Sequence, residues 1–248
     1  MTLLFAALSV PLVLAQDESL SYEGGLGGNA PGYVVGKPVS VSHASGNLQV
    51  RCMDVESLSG RLQYTVFGSA EGPVESFGKG IGIAVSGDSK GGSVRTRVPS
   101  VSSGVARAQI DLTVNIPRGA AGLTVSHTGS GWVQVVGCGG PVKVTAGGGG
   151  AYVGGPMTSF VVSATGGDVK LEVEETVIAG TSSATSPGAL TVSLSAAQNG
   201  KIAVKGEEVS VRHLVMGTND PSLVSGQMGS GGPSITLTAK GRAEVVQP

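Results

Sequence analysis

Charge is scarce in this 248-residue chain. Asp, Glu, Lys and Arg make up 13% of it, and 16 basic against 17 acidic residues leave a net of −1. That is about half the charged share of an ordinary soluble domain. A balance so near zero removes the electrostatic footprint of a nucleic-acid binder or of a protein drawn to an anionic membrane. Aromatics are also few, at 4%, with a single Trp. The two cysteines have no His or further Cys at metal-ligand spacing, so no metal site is expected. No apolar run reaches the roughly 18 residues that a membrane span requires. Apolar residues nowhere keep i, i+3, i+4 spacing for three turns, and Gly interrupts nearly every ten-residue window. Helix is therefore expected to be close to absent. No Asn-X-Ser/Thr triplet offers a glycosylation acceptor.

What is abundant is glycine, at 42 residues, more than twice the usual share of about 7%. It shows no strict three-residue period, which excludes collagen. The hydrophobic share is 40%, much of it Val, which argues for a folded core and against disorder.

Residues 3 to 14 form an apolar run of 12, broken only by Ser9 and Pro11, and no Lys or Arg precedes it. Val13 and Ala15 stand at the −3 and −1 positions of a cut before Gln16. The run is too short for a bilayer of about 30 Å. Residues 1–15 are read as a signal peptide, which places the protein outside the cytoplasm: periplasmic, outer-surface or extracellular. Residues 16–37, Gly-rich and polar, read as a linker or loose arm.

Cys52 and Cys138 each follow a similar phrase, GNLQVRC and GWVQVVGC, and each would end a short strand. Export permits a disulfide between them. Sequence leaves this open against two buried thiols, because it does not say whether the Cα atoms approach within about 7 Å.

From residue 38 onward, short segments alternate with period two, the mark of half-buried strands. They include Leu48/Val50/Cys52, Ile81/Ile83/Val85, Ile110/Leu112/Val114/Ile116, Leu190/Val192/Leu194, Ile202/Val204, Val209/Val211 and Ile235/Leu237. A finer signal lies in the middle. Val135, Val144, Val153, Val162 and Leu171 are spaced nine apart, as are Val133, Val142, Ala151, Phe160 and Val169. Gly131, Gly140, Gly149 and Gly167 keep the same period, with Thr158 in the remaining place. Each unit is a short strand plus a Gly turn, and it buries its apolar face only against its neighbours. Two topologies fit the spacing: a β-solenoid, each unit one side of a coil, and an antiparallel meander or sandwich. The absence of Asn-Gly and Asp-Gly pairs from the repeat favours the solenoid. The fold expected is all-β, one solenoid domain over 38–248. Within it, 216–234 is a long loop, and a last strand or hairpin caps the stack from about 234.

The phrases VSHASGNLQVR (41–51), AQIDLTVNIPRGAAGLTVSHTGSGWVQVVG (108–137), VKVTAGGGGAYV (142–153), SATGGDVKLEV (163–173), SPGALTVSL (186–194) and IAVKGEEVSV (202–211) carry a family likeness. They resemble the bacterial "putative-adhesin" family of β-strand-repeat envelope proteins, named for a domain of unknown function. The resemblance implies a secreted or envelope-associated β-solenoid without an established enzyme activity, and it supplies no catalytic residues. The cysteine pair is outside the family pattern, and 212–248 matches it weakly.

Gly87-Asp88-Ser89-Lys90-Gly91 matches G-x-S-x-G, but a strand-like SVRTRV follows where a nucleophile elbow needs a helix, so a hairpin tip is expected. His43, His127 and His213 are scattered, and His127 falls in phase with Leu123 and Val125, so a satisfied, partly buried His is expected there and not a base. The Gly78–Gly82 and Gly147–Gly150 stretches lack the Lys-Ser/Thr of a phosphate loop, and no cofactor is expected. A β-helix polysaccharide lyase or hydrolase would need converging carboxylates. The six Asp are far apart in sequence, and Glu172 and Glu174 read as a solvated strand face eased by Lys170. No enzyme activity is therefore expected.

Trp132 and Tyr152 take outward phases, where aromatics stack on sugars or seal protein contacts. With Gln134, Lys143 and Lys170 they form the candidate ligand-binding face, and its partner would be an envelope glycan or a surface protein. The expected function is thus structural or adhesive. A carbohydrate-active enzyme and an end-to-end assembly scaffold joined through strand edges are the rivals.

Overall fold

The computed structural model describes residues 20–247 except 102, 175, 176, 213–215, 221 and 230. The signal-peptide reading of residues 1–15 and the histidine at position 213 lie outside the described residues.

The period-two segments become strands. In chain order these are β1 Leu20–Ala30, β2 Val39–His43, β3 Leu48–Met53, β4 Leu58–Gly68, then the helix α1 Glu71–Gly80. β5 Gly82–Gly87, β6 Gly92–Arg97, β7 Val105–Pro117, β8 Leu123–His127, β9 Val133–Val136, β10 Gly140–Ala146 and β11 Ala151–Gly155 follow. The chain continues through β12 Met157–Ala164, β13 Val169–Val173, β14 Ser182–Ser186, β15 Leu190–Ser193, β16 Gly200–Lys205 and β17 Glu208–Arg212. β18 Met216–Asp220, β19 Leu223–Met228, β20 Ser234–Ala239 and β21 Arg242–Val246 complete it.

The strands build two large mixed sheets. Sheet A has the order β1-β4-β7-β3-β9-β11-β13-β15-β21-β17, and sheet B the order β18-β19-β16-β20-β14-β12-β10-β8-β2-β6-β5. Successive strands of the repeat alternate between the sheets. Ala151 on β11 pairs in parallel with Val133 and with Val169, each 18 positions away. On sheet B, Val142 of β10 pairs with Phe160 of β12, also 18 positions away. The nine-residue period is therefore half of a return: Val135, Val153 and Leu171 face inward from sheet A, and Val144 and Val162 from sheet B. Pairing within the repeat is parallel, not the antiparallel meander. One strand from each sheet makes a layer, and the inward rows of the stacked layers merge into one continuous core. Small β-branched residues suit this, because each stacks on its like in the next layer.

Four local departures from expectation have physical reasons. The first is in the stretch read as a linker, where Leu20–Ala30 forms an edge strand paired with β4 along its whole length. Backbone ladders need no side chains, so glycines at 24, 25, 27 and 28 do not prevent it.

The second is α1, in the glycine-bearing sequence EGPVESFGKG. Tertiary packing overrides propensity here: Val74 and Phe77 are buried against β1, β4 and β7. Gly78 lets the Tyr22 ring approach where a Cβ would collide with it. Glu75 and Lys79 close an i,i+4 ion pair at 2.6 Å on the exposed side. Ile81, expected on a strand, ends this helix as a buried capping residue.

The third and fourth lie at the C-terminal end. The stretch 216–234 holds the antiparallel pair β18–β19 in place of a long loop. The segment from 234, expected as a cap, is an interior layer: β20 lies between β14 and β16, and β21 between β15 and β17. Ile235, Leu237, Ala243 and Val245 are fully buried because strands flank them on both sides.

Candidate functional site

The outward row of sheet A runs across the strands. Arg61, Thr113, Gln49, Gln134, Tyr152 and Lys170 stand in one register row on β4, β7, β3, β9, β11 and β13. At the usual strand spacing that row is roughly 24 Å long. Glycines at 25 and 27 of β1 floor its near end, where shallow depressions meet at Gly25, Arg61 and Asp111.

Trp132 borders this surface just before β9 and remains 51% exposed. Its backbone is held by a relay from the neighbouring strands. The Trp132 N–H donates to Asn47 Oδ1 at 3.0 Å, and the Asn47 N–H donates to Asp111 Oδ1 at 2.8 Å. Gln109 Nε2 donates to the other Asp111 oxygen at 3.1 Å. A depression of about 340 Å³ lies beside the ring, lined by Asn47, Gln49, Asp111, Thr113 and Gln134 among others. Gln49 Nε2 donates to Gln134 Oε1 at 2.6 Å, which aligns the two amides across β3 and β9.

Farther along the row, Tyr152 donates its hydroxyl to Glu172 Oε2 at 2.5 Å, and Lys170 Nζ sits 2.8 Å from Glu172 Oε1. Lys170 also lies 5.7 Å from the centre of the Tyr152 ring. The hydrogen bond to Glu172, with lesser help from burial, pushes the Tyr152 hydroxyl up to about 12. The Glu172 carboxyl is held below its ordinary value, chiefly by Lys170 and then by Tyr152. The Lys170–Glu172 ion pair and the neutral Tyr152 hydroxyl form an internally satisfied cluster.

Four of the five residues expected on the binding face share it: Trp132, Gln134, Tyr152 and Lys170. The fifth does not. Lys143 lies on β10 of sheet B, between Thr124 and Val161, and faces the opposite side of the molecule. The nine-residue phase that united these residues alternates between sheets, so every second member points the other way. Sequence reasoning missed Asn47, Gln49, Arg61, Asp111 and Thr113. Gln49, Arg61, Asp111 and Thr113 hold outward phases on their strands, but nothing local shows which strands are neighbours.

Elsewhere, Ser89 sits at the tip of the β5–β6 hairpin, where Asp88 Oδ1 accepts the N–H groups of Lys90 and Gly91 at 2.7 and 3.2 Å. That is the hairpin tip expected there. Cys52 and Cys138 are bridged, with Cα atoms 4.9 Å apart. Among the described residues no group of three or more His, Cys, Asp or Glu side chains could hold a metal ion. No helix among them is long and apolar enough to cross a membrane.

No family model matches the chain, and no curated protein matches it. Among solved structures it is similar to a "putative cell adhesion protein" from Clostridium sporogenes, at 12% identity over 93% of this chain and 99% of that one, with a TM-score of 0.47. It is also similar to a "putative adhesin" from Bacteroides fragilis, at 10% identity over 93% and 97% of the two chains and a TM-score of 0.42. A "putative adhesin" from Parabacteroides distasonis is similar at 12% identity over 93% and 98%, with a TM-score of 0.37. Neither a ligand nor an activity carries over at such identity.

Proposed function

We propose that this chain is an exported envelope or surface protein with a structural and adhesive role. It is a two-sided β-solenoid that presents the outer face of sheet A to an envelope glycan. The observation that carries the reading is Trp132: a half-exposed indole beside a shallow depression lined by amides, a carboxylate and a hydroxyl. Sugars offer apolar C–H faces to aromatic rings and a rim of hydroxyls to such polar groups. The row from Arg61 to Lys170 suits an extended polymer lying across the strands, since its polar groups recur once per strand. The 18-residue returns and parallel pairing support the solenoid. The disulfide supports an oxidising compartment. No catalytic step is assigned: Glu172 is engaged by Lys170 and Tyr152, and Asp111 by Asn47 and Gln109.

Trp132 is the only tryptophan, so its fluorescence reports the site directly. Titration with purified envelope polysaccharides should give a saturable change in Trp132 emission. Binding should be lost in Trp132→Ala, scored by co-sedimentation, with thermal unfolding unchanged. No saturable binding to any polymer, or equal binding by Trp132→Ala, would overturn the assignment.

A further inference from the structure

At the C-terminal end the order of layers departs from the order of the chain. β17 ends sheet A, and β16 is followed in sheet B only by β19 and β18, yet the layer beneath β16 and β17 is made by β20 and β21, the last strands. β14 and β16 each pair with β20, and β15 and β17 each pair with β21. After β15 the chain passes over one layer, builds β16 to β19, and returns to fill the gap with residues 234–246.

The slot has braces of its own. Gln198, on the crossover from β15 to β16, is buried, and its Oε1 accepts the Ile178 N–H at 2.6 Å. Its Nε2 donates back to the Ile178 carbonyl at 3.3 Å. These bonds tie the crossover to the chain just before β14 without any help from residues 234–246. The outer wall is braced by the antiparallel pairing of β16 with β19 and of β19 with β18.

The segment also carries an anchor. Gln247 Nε2 donates to the carbonyls of Ser195 and Ala196 at 3.0 Å each and lies 3.3 Å from that of Gln198. All three acceptors belong to the same crossover. The link leading into the segment holds Gly229, Gly231 and Gly232 at φ of 58, 104 and 151°, conformations that glycine adopts without the penalty of a Cβ.

The N-terminal end makes an informative contrast. The early strands β2 and β3 are likewise flanked on both sides, by β6–β7 and β8–β9. There the Cys52–Cys138 bridge fastens the inserted layer to its neighbour. Those are the chain's only cysteines, so no such bond secures β20 and β21.

We propose that residues 234–247 are an exchangeable closing segment. The slot between β14–β15 and β16–β17 accepts this segment from a second copy of the chain through the same contacts as from its own, so that copies join by strand exchange. The exchange costs little in principle, because the contacts made are the same in both arrangements and only the hinge changes.

The test keeps the 248-residue chain intact until it has folded. A protease recognition sequence is placed between Gly231 and Gly232, the folded protein is cut, and a fluorescent peptide of residues 233–248 is added. The cut segment should stay associated during gel filtration and then be replaced by the labelled peptide, while Trp132 emission and far-UV dichroism stay native. Changing Gln247 to Ala in the peptide should weaken capture about tenfold, the effect of losing a buried amide's bonds. Capture only under conditions that unfold the remainder would overturn the proposal. So would loss of the segment followed by closure of the layers with no capture. On the uncut chain, amides of 234–246 should exchange with solvent as a unit, faster than those of β10 to β13. Equal protection of the two regions would also overturn it.

Discussion

His43 and His127 lie side by side in register on β2 and β8, with ring centroids 5.5 Å apart and both side chains inside the core. His43 Nε2 donates to the Ile110 carbonyl at 2.9 Å, and its Nδ1 accepts from the Thr96 hydroxyl at 2.9 Å. His127 Nε2 donates to the Gly46 carbonyl at 2.8 Å, while its buried Nδ1 has no hydrogen-bond partner among the described residues. Both rings are thereby held in neutral forms.

A pH dependence follows. Burial pushes the His43 imidazole down to about 4; the neighbouring His127 adds to this, and the bond to Ile110 and the charge of Asp111 oppose it. His127 is lowered by burial as well. The unfolded chain protonates these groups near 6.5, whereas folded His43 resists protonation down to about 4. The histidine contribution to stability is therefore full above pH 6.5 and falls between 6.5 and 4, with His43 alone contributing roughly 3 kcal/mol of the loss. Denaturant unfolding from pH 7.5 to 3.5 measures the slope. A His43→Gln, His127→Gln double variant should flatten it.

Trp132→Ala should separate binding from folding. The ring is half exposed, so its loss should cost under about 1 kcal/mol in stability. Polysaccharide affinity should fall at least about tenfold, as for an aromatic at the centre of a contact. Calorimetric unfolding and co-sedimentation on the same sample measure both quantities.

Reduction of the Cys52–Cys138 bridge should destabilise the fold substantially. It spans 86 residues, and bridges of that reach are worth about 2–4 kcal/mol, chiefly through the unfolded chain. Unfolding of the reduced protein and of a Cys52→Ser, Cys138→Ser variant should show the same loss relative to the bridged protein.

Phe160→Ala should be the most damaging single truncation in the repeat. Phe160 is fully buried on β12 among smaller residues, and such a cavity costs about 3–5 kcal/mol. Phe160→Leu should recover most of it, read as a shift in the denaturant midpoint.

The all-β class, the inward rows and the nine-residue period were legible in the sequence. Alternation of Val, Ile and Leu fixes which side of each strand is apolar, and glycine spacing fixes where the chain turns. Leu112, Val144 and Leu237 are buried as their phases require. The proposed binding face was half legible: phase identifies an outward residue but not which of two sheets it leaves from, and this grouped Lys143 of sheet B with residues of sheet A.

Tertiary structure alone decided the rest. It placed Gln49 beside Gln134 across 85 positions of chain, closed the bridge, and drew the glycine-rich 20–30 stretch into a sheet. It also lodged the last two strands inside the stack. Each of these rests on backbone pairing between segments distant in sequence, and backbone N–H and C=O groups are the same whatever side chain they carry. A sequence records which face of a strand must be buried; the folded chain selects which strand lies beside it.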